Sequence, residues 1–153
     1  LSILQQRKDF YGTGLDVSKN CLKITYKNAI NLNIHSRLKL FNSNVDKFAF
    51  GKYDLIVSNP PYIKKHILKY LDKGVAQFEP KLALDGGIDG LSEIRKAIKK
   101  SSELIKKNGN FILEIGFDQK NKVINLLKKK GFYINSVLKD LAKNDRCIIC
   151  TKI

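Results

Sequence analysis

"DLIVSNPPYI" (Asp54–Ile63) runs from an apolar stretch, Leu55 to Val57, through Ser58 and Asn59 into two prolines and an aromatic. The apolar stretch reads as the middle of a strand, residues 53–58, covered on both faces. The strand stops at a rigid corner. Pro60 fixes its own φ at about −65° and pushes Asn59 into extended backbone, and Pro61 does the same to Pro60. Neither proline has an N–H, so the corner offers acceptors and almost no donors. The Asn59 side-chain oxygen and the Pro60 carbonyl can face outward together. Two fixed acceptors suit a planar –NH₂ group, and the Tyr62 ring can lie flat against the plane that carries it.

That arrangement implies a chemistry. An amide or aryl amine is a poor nucleophile because its lone pair is delocalised. Two acceptors on its N–H bonds orient the lone pair toward an electrophile. Their hydrogen bonds strengthen as positive charge develops on nitrogen, which stabilises the transition state preferentially. The competing reading is a plain turn after a strand. Asn-Pro-Pro-Tyr directly after an apolar strand favours amine methylation, with Asn59, Pro60 and Tyr62 catalytic and Pro61 completing the substrate-binding corner.

Outward from the corner, short apolar runs alternate with helical periodicity. Strands are expected over 13–17, 37–41, 53–58, 110–116, 132–138 and 146–152. A helix capped by Ser18 should carry Leu22, Thr25, Tyr26, Ala29 and Ile30 on one face. Further helices are expected over 91–107, ended by Asn108-Gly109, and over 118–130, stopped by Gly131. Residues 59–90 read as a long loop. The alternation predicts an α/β fold with a mostly parallel sheet. The last two strands are joined too tightly for a helical crossover and should pair antiparallel.

The 153 residues suffice for one domain, and no apolar run approaches a membrane span. The basic residues of "LSILQQRKD" follow its apolar patch, the wrong order for a signal peptide. A chain without Met that begins at Leu1 reads as a fragment or processed product. The net charge is +15, and lysines supply 25 of the 29 cationic residues. Their scatter favours solvated faces over a phosphate-reading surface, where Arg would be expected. Cys147 and Cys150 form a C-x-x-C pair within a strand-like run. Residues three apart on a strand face opposite sides, so no metal site is assigned. With Cys21 they read as buried free thiols in a reducing cytoplasm.

"GTGLD" (12–16) is a poor dinucleotide fingerprint, since the third glycine and the immediate helix are missing. Asp16 is the better feature. An acid at a strand end before a helix start is placed to bind both ribose hydroxyls of a nucleoside cofactor. The alternative is that Asp16 assists helix capping.

These residues carry a family resemblance. The chain resembles the S-adenosylmethionine-dependent class I methyltransferases, which have a Rossmann-like fold, and among them the release-factor glutamine methyltransferases. "GLDVS" (14–18) resembles the ribose-binding strand end, and "NPPY" (59–62) the catalytic motif. "FEPKLALDGGIDGL" (78–91) resembles the loop that follows that motif. "ILEIGFDQ" (112–119) and "KDLAKNDRCIIC" (139–150) resemble the closing strands. The resemblance implies S-adenosyl-L-methionine as cofactor, held by Asp16, Asn44, Val45 and Asn59. Where the family has Ser-Asp to bind the adenine amine, this chain has Ser43-Asn44, an uncharged acceptor, with Val45 against the ring. The family's N-terminal helical domain, first strand and glycine loop are expected to be missing before Leu1, and "LSILQQRKDF" resembles the helix after that loop. Strands 13–17 and 53–58 would then flank a missing strand without pairing to each other. The isolated chain would be unstable and would bind the cofactor weakly.

The resemblance thus implies a cytoplasmic, monomeric enzyme that methylates the side-chain amide nitrogen of a glutamine in a peptide chain release factor. Three alternatives stay open. A nucleic-acid methyltransferase would present an exocyclic base amine to the same corner. A ribosomal-protein glutamine methyltransferase would share the chemistry. A truncated chain would be inactive.

Overall fold

The computed structural model describes residues 1–70 and 80–153. These fall into two units, residues 1–48 and 49–153.

In the first unit, helix α1 (Ser2–Gln6) precedes strand β1 (Gly12–Asp16), helix α2 (Lys19–Asn31) and strand β2 (Leu38–Asn42). β1 and β2 pair in parallel, from Gly12 opposite Leu38 to Asp16 opposite Asn42. Parallel neighbours need a crossover, and α2 supplies it. Ser18 caps α2 as expected, accepting the Cys21 N–H at 3.3 Å. β2 starts one residue later than the sequence suggests, because His35–Arg37 forms a 3₁₀ turn. The small core is Leu4, Ala29 and Ile34, with Phe10, Leu32 and Leu38 packed against it. The Arg37 guanidinium donates to the carbonyls of Leu4, Arg7 and Phe10, tying the end of α1 to the start of β2. The expected apolar face of α2 is corrected in part. Ala29 is buried, and Leu22 and Thr25 are half-buried, but Tyr26 and Ile30 are exposed. Among the described residues α2 packs on a sheet of two strands. Cys21 is exposed, which corrects its reading as a buried thiol.

The second unit holds strand β3 (Tyr53–Ser58), helices α3 (Lys81–Leu84) and α4 (Ser92–Leu104), strand β4 (Ile105–Glu114), helix α5 (Lys120–Lys129), and strands β5 (Phe132–Lys139) and β6 (Asp145–Lys152). The sheet order is β3-β4-β6-β5. β3 and β4 are parallel, and β6 runs antiparallel to both β4 and β5. The antiparallel close is therefore as expected. β1 and β3 lie in separate sheets, and among the described residues each pairs on one side.

Ile94 and Ile98 of α4 and Val123 and Leu127 of α5 bury against Phe111, Leu113, Phe132, Ile148 and Cys150. Each such apolar side chain contributes roughly 1.5–3 kcal/mol on burial. Cys150 is interior, its Sγ donating to the Phe111 carbonyl at 3.4 Å, whereas Cys147 is half-buried. Burial pushes the Cys150 thiol up to about 12. Two expectations are revised. α4 ends at Leu104, not 107, because buried Ile105 already pairs with Tyr53. Asn108, at φ 62°, and Gly109 form an irregularity inside β4 instead of the helix stop. β3 is also less enclosed than an apolar run suggests. Among the described residues it pairs with β4 alone, and Val57 is 54% exposed. Of the expected loop over 59–90, residues 71–79 lie outside the described part. The remainder holds a 3₁₀ turn at Leu68–Tyr70 as well as α3.

Candidate active site

Just past β3, Asn59 is exposed, Pro60 is buried, and Pro61 and Tyr62 are half-buried. The four residues, with Ile63, Ala83 and Leu84, line a cavity of about 320 Å³. The four residues of the motif therefore converge on one cavity. Among the described residues, none donates to the Asn59 side chain or the Pro60 carbonyl. Both residues line that cavity.

The corner is clamped by the loop after α3. Ile63 bridges to Asp85 in parallel fashion. The Ile63 N–H donates to the Leu84 carbonyl at 3.1 Å, the Gly86 N–H to the Ile63 carbonyl at 2.8 Å, and the Lys65 N–H to the Gly87 carbonyl at 2.9 Å. Two aspartates shape this loop. Asp85 Oδ1 accepts the Gly87 N–H at 2.8 Å, and Asp89 Oδ1 accepts the Leu91 N–H at 3.0 Å. The Arg95 guanidinium on Asp89, with help from the Leu91 N–H, lowers that carboxyl to about 2. Gly86 and Gly90 are needed for close approach. A Cβ on Gly86 would lie 2.8 Å from the Tyr62 backbone, and one on Gly90, at φ 76°, would lie 2.6 Å from the Tyr62 carbonyl oxygen. Of the resembling stretch 78–91, Phe78 and Glu79 lie outside the described residues.

The turn after β4 supplies a second support. Buried Gln119 accepts the Gly116 N–H at 2.8 Å through Oε1. Its Nε2 donates to the carbonyls of Tyr62 and Gly90, both at 3.0 Å. The Tyr62 hydroxyl donates to Glu114 Oε1 at 3.1 Å, and the Arg146 guanidinium carbon lies 6.0 Å from the ring centre. Burial, and then the bond to Glu114, push the Tyr62 hydroxyl's pKa up. Sequence reading assigned no role to Gln119, Glu114, Asp85 or Asp89. The available signal was Gln119 at a helix start, a position where glutamine is a poor cap.

The expected cofactor residues of the first unit are arranged as follows. Asp16 ends β1, and its Oδ1 accepts the Ser18 N–H at 2.7 Å. Ser18 itself caps α2, so the carboxylate braces the cap without replacing it. Asn42 Nδ2 donates to the carbonyls of Asp16 and Val17, and the Ser43 N–H donates to the Asp16 carbonyl at 3.2 Å. Asn44 and Val45, both half-buried, follow at once, Asn44 preceding a 3₁₀ turn over Val45–Lys47. Asp16, Asn44 and Val45 are thus gathered at one end of the β1–β2 pair.

No family model matches the chain. The release factor glutamine methyltransferase of Agrobacterium fabrum is 36% identical over 148 residues, covering 97% of this chain and 51% of that protein. Its namesake from Caulobacter vibrioides is 35% identical, with 99% and 53% covered. The chain spans about half the length of these curated relatives. A methyltransferase from Pyrococcus furiosus matches in structure with a TM-score of 0.71 at 17% identity, covering 99% of this chain and 67% of that one. The N-methyltransferase NodS from Bradyrhizobium japonicum, solved with S-adenosyl-L-homocysteine, matches with a TM-score of 0.55 at 14% identity, covering 91% and 64%. Over nearly all of its residues the chain is homologous to release factor glutamine methyltransferases, and it has the Rossmann-like α/β fold of class I methyltransferases.

Proposed function

We propose that the whole protein transfers a methyl group from S-adenosyl-L-methionine to the side-chain amide nitrogen of a glutamine, in a peptide chain release factor. One observation carries the reading: Asn59, Pro60, Pro61 and Tyr62 line a single cavity, and the next residue, Ile63, is bonded to Leu84 and Gly86. The names of the relatives supply the substrate.

The donor set fits the cofactor. Asp16 offers a carboxylate, held through one oxygen, at a strand end suited to a ribose diol. Asn44 offers an uncharged acceptor for the adenine amine, and Val45 an apolar surface for the ring. When bound, S-adenosyl-L-methionine supplies an electrophilic methyl group. The protein's part is orientation and charge stabilisation. The Asn59 side-chain oxygen and the Pro60 carbonyl accept the two N–H bonds of the substrate amide, and the Tyr62 ring supports its plane. Those bonds tighten as the nitrogen becomes cationic. The nitrogen sheds a proton afterwards, so no residue with a shifted pKa is required as base. All these corner groups come from one chain, so a monomer suffices. A translation factor as substrate places the reaction in the cytoplasm. Among the described residues no helix is long and apolar enough to cross a membrane.

The net charge of +15, although its lysines are scattered, slightly favours a second reading, methylation of an exocyclic base amine in nucleic acid. Radiolabelled cofactor decides between them. The whole protein is expected to label a release factor on glutamine and to leave DNA and RNA unlabelled. Label on nucleic acid alone would replace the first reading with the second.

A further inference from the structure

We infer that Gln119 is a positioning residue for methyl transfer, fixing the Asn59–Tyr62 corner through the Tyr62 carbonyl. The inference rests on the methyl-transfer reading above.

A primary amide has one acceptor oxygen and two N–H donors. Gln119, 3% exposed, satisfies all three with backbone groups from three segments: the Gly116 N–H and the carbonyls of Gly90 and Tyr62. The partners fix which way the amide faces. Flipping it would set oxygen against two carbonyls and NH₂ against an N–H. Glycines at 90 and 116 make space for the bridge. A Cβ on Gly90 would meet Nε2 at 2.7 Å, and one on Gly116 would meet Cδ at 3.0 Å. Gln119 stands at the N-cap of α5, yet its side chain makes no capping bond. The helix start therefore gives no reason for a glutamine, and the bridge does.

The link to the reacting groups is covalent and stiff. Pro60 and Pro61 have locked φ angles, so few torsions separate the Tyr62 carbonyl from the Pro60 carbonyl and Asn59. A displacement at Tyr62 is passed on to the two acceptors instead of being absorbed between them. Misplacing a reactive group by about 1 Å can cost roughly a hundredfold in rate.

Two variants of the full-length protein test this. Gln119→Glu keeps the acceptor for Gly116 but faces two carbonyls with a carboxylate. Gln119→Leu removes every bond. Both are expected to lower kcat by about a hundredfold while the KM for the cofactor stays within about twofold. The introduced carboxylate, once protonated, regains one donor, so the activity of Gln119→Glu relative to the unaltered protein should recover on acidification. Gln119→Leu should show no recovery. Folded variants with kcat within about threefold of the unaltered protein would overturn the inference, and so would equal losses at every pH. Asn59→Ala serves as the control. If it is inactive while both Gln119 variants are active, the inference fails and the methyl-transfer reading stands. If Asn59→Ala is active, that reading fails. Should neither Gln119 variant fold, the unaltered protein decides by NMR. The Gln119 side-chain amide signals should exchange slowly with solvent and shift when N-acetylglutamine methylamide is added. Fast exchange, or no shift, would overturn the inference.

Discussion

The Tyr62 hydroxyl donates to Glu114 Oε1 at 3.1 Å, anchoring the aromatic of the proline corner to the last residue of β4. Tyr62→Phe keeps the ring and loses this partly exposed bond. Hydrogen bonds to charged groups contribute about 1.5–3 kcal/mol when well shielded, and exposure discounts that toward about 1 kcal/mol. Turnover is expected to fall roughly fivefold for Phe and far more for Ala. Equal losses in steady-state rates would assign the function to the hydroxyl instead of the ring.

Asn59→Ala removes the exposed side-chain acceptor of the corner. Losing a group aimed at developing charge costs about 3–4 kcal/mol of barrier, a hundredfold or more in kcat. Cofactor affinity should weaken less. Single-turnover methyl transfer measures the first and calorimetric titration the second. A fall below about threefold would rule out the corner as the catalytic element.

Asp16→Asn separates two roles of one carboxylate. The amide oxygen can still accept the Ser18 N–H, so the start of α2 should be preserved. The neighbouring acceptor becomes a donor, which suits a ribose hydroxyl poorly. Thermal stability is expected to hold while the Kd for the cofactor rises at least tenfold, or about 1.4 kcal/mol. Unchanged affinity with lowered stability would leave Asp16 a structural brace.

Asp89 makes the loop behind the corner acid-sensitive. The Arg95 guanidinium and the Leu91 N–H hold its carboxyl at about 2, below the ordinary 3.8. A folded value below the unfolded one gives stability that is complete above pH 3.8 and is lost as pH falls through about 2. Protection of the Leu91 amide should decline over that interval. Asp89→Asn should abolish the dependence. An NMR titration of the Asp89 carboxyl with its midpoint at the ordinary value would refute the coupling.

How much of this was legible in the sequence follows from what each signal depends on. Local signals held. Ser18 caps α2, Gly131 at φ 74° ends α5, and Asn59-Pro60-Pro61-Tyr62 ends a strand. The short link between the last two strands forced an antiparallel pair. Signals needing a partner were lost. Asn108-Gly109 looks like a helix stop, but the pairing of Ile105 with Tyr53 ends α4 sooner. Gln119 is one polar residue among many until Gly90 and Tyr62 are brought to it. The run Leu55–Val57 suggests enclosure, although among the described residues β3 pairs along one side.

The sheet order β3-β4-β6-β5 also sets an order of assembly. β5 and β6 are joined by a tight turn in which the Asp140 N–H donates to the Asn144 carbonyl at 2.9 Å. Such a hairpin forms in about 1–10 μs. β4 joins β6 after closing across α5. β3 must close a far longer loop to reach β4, an entropic cost incurred before any bond rewards it. The Ile63–Asp85 bridge and the Gln119 links need both neighbours in place. The proline corner is therefore expected to be the last part of this unit to mature, after the sheet it follows. Pulse-labelled hydrogen exchange should find the β5 and β6 amides protected before those of Ile63 and Gly86, and the reverse sequence would show that the loop, not the hairpin, nucleates the unit.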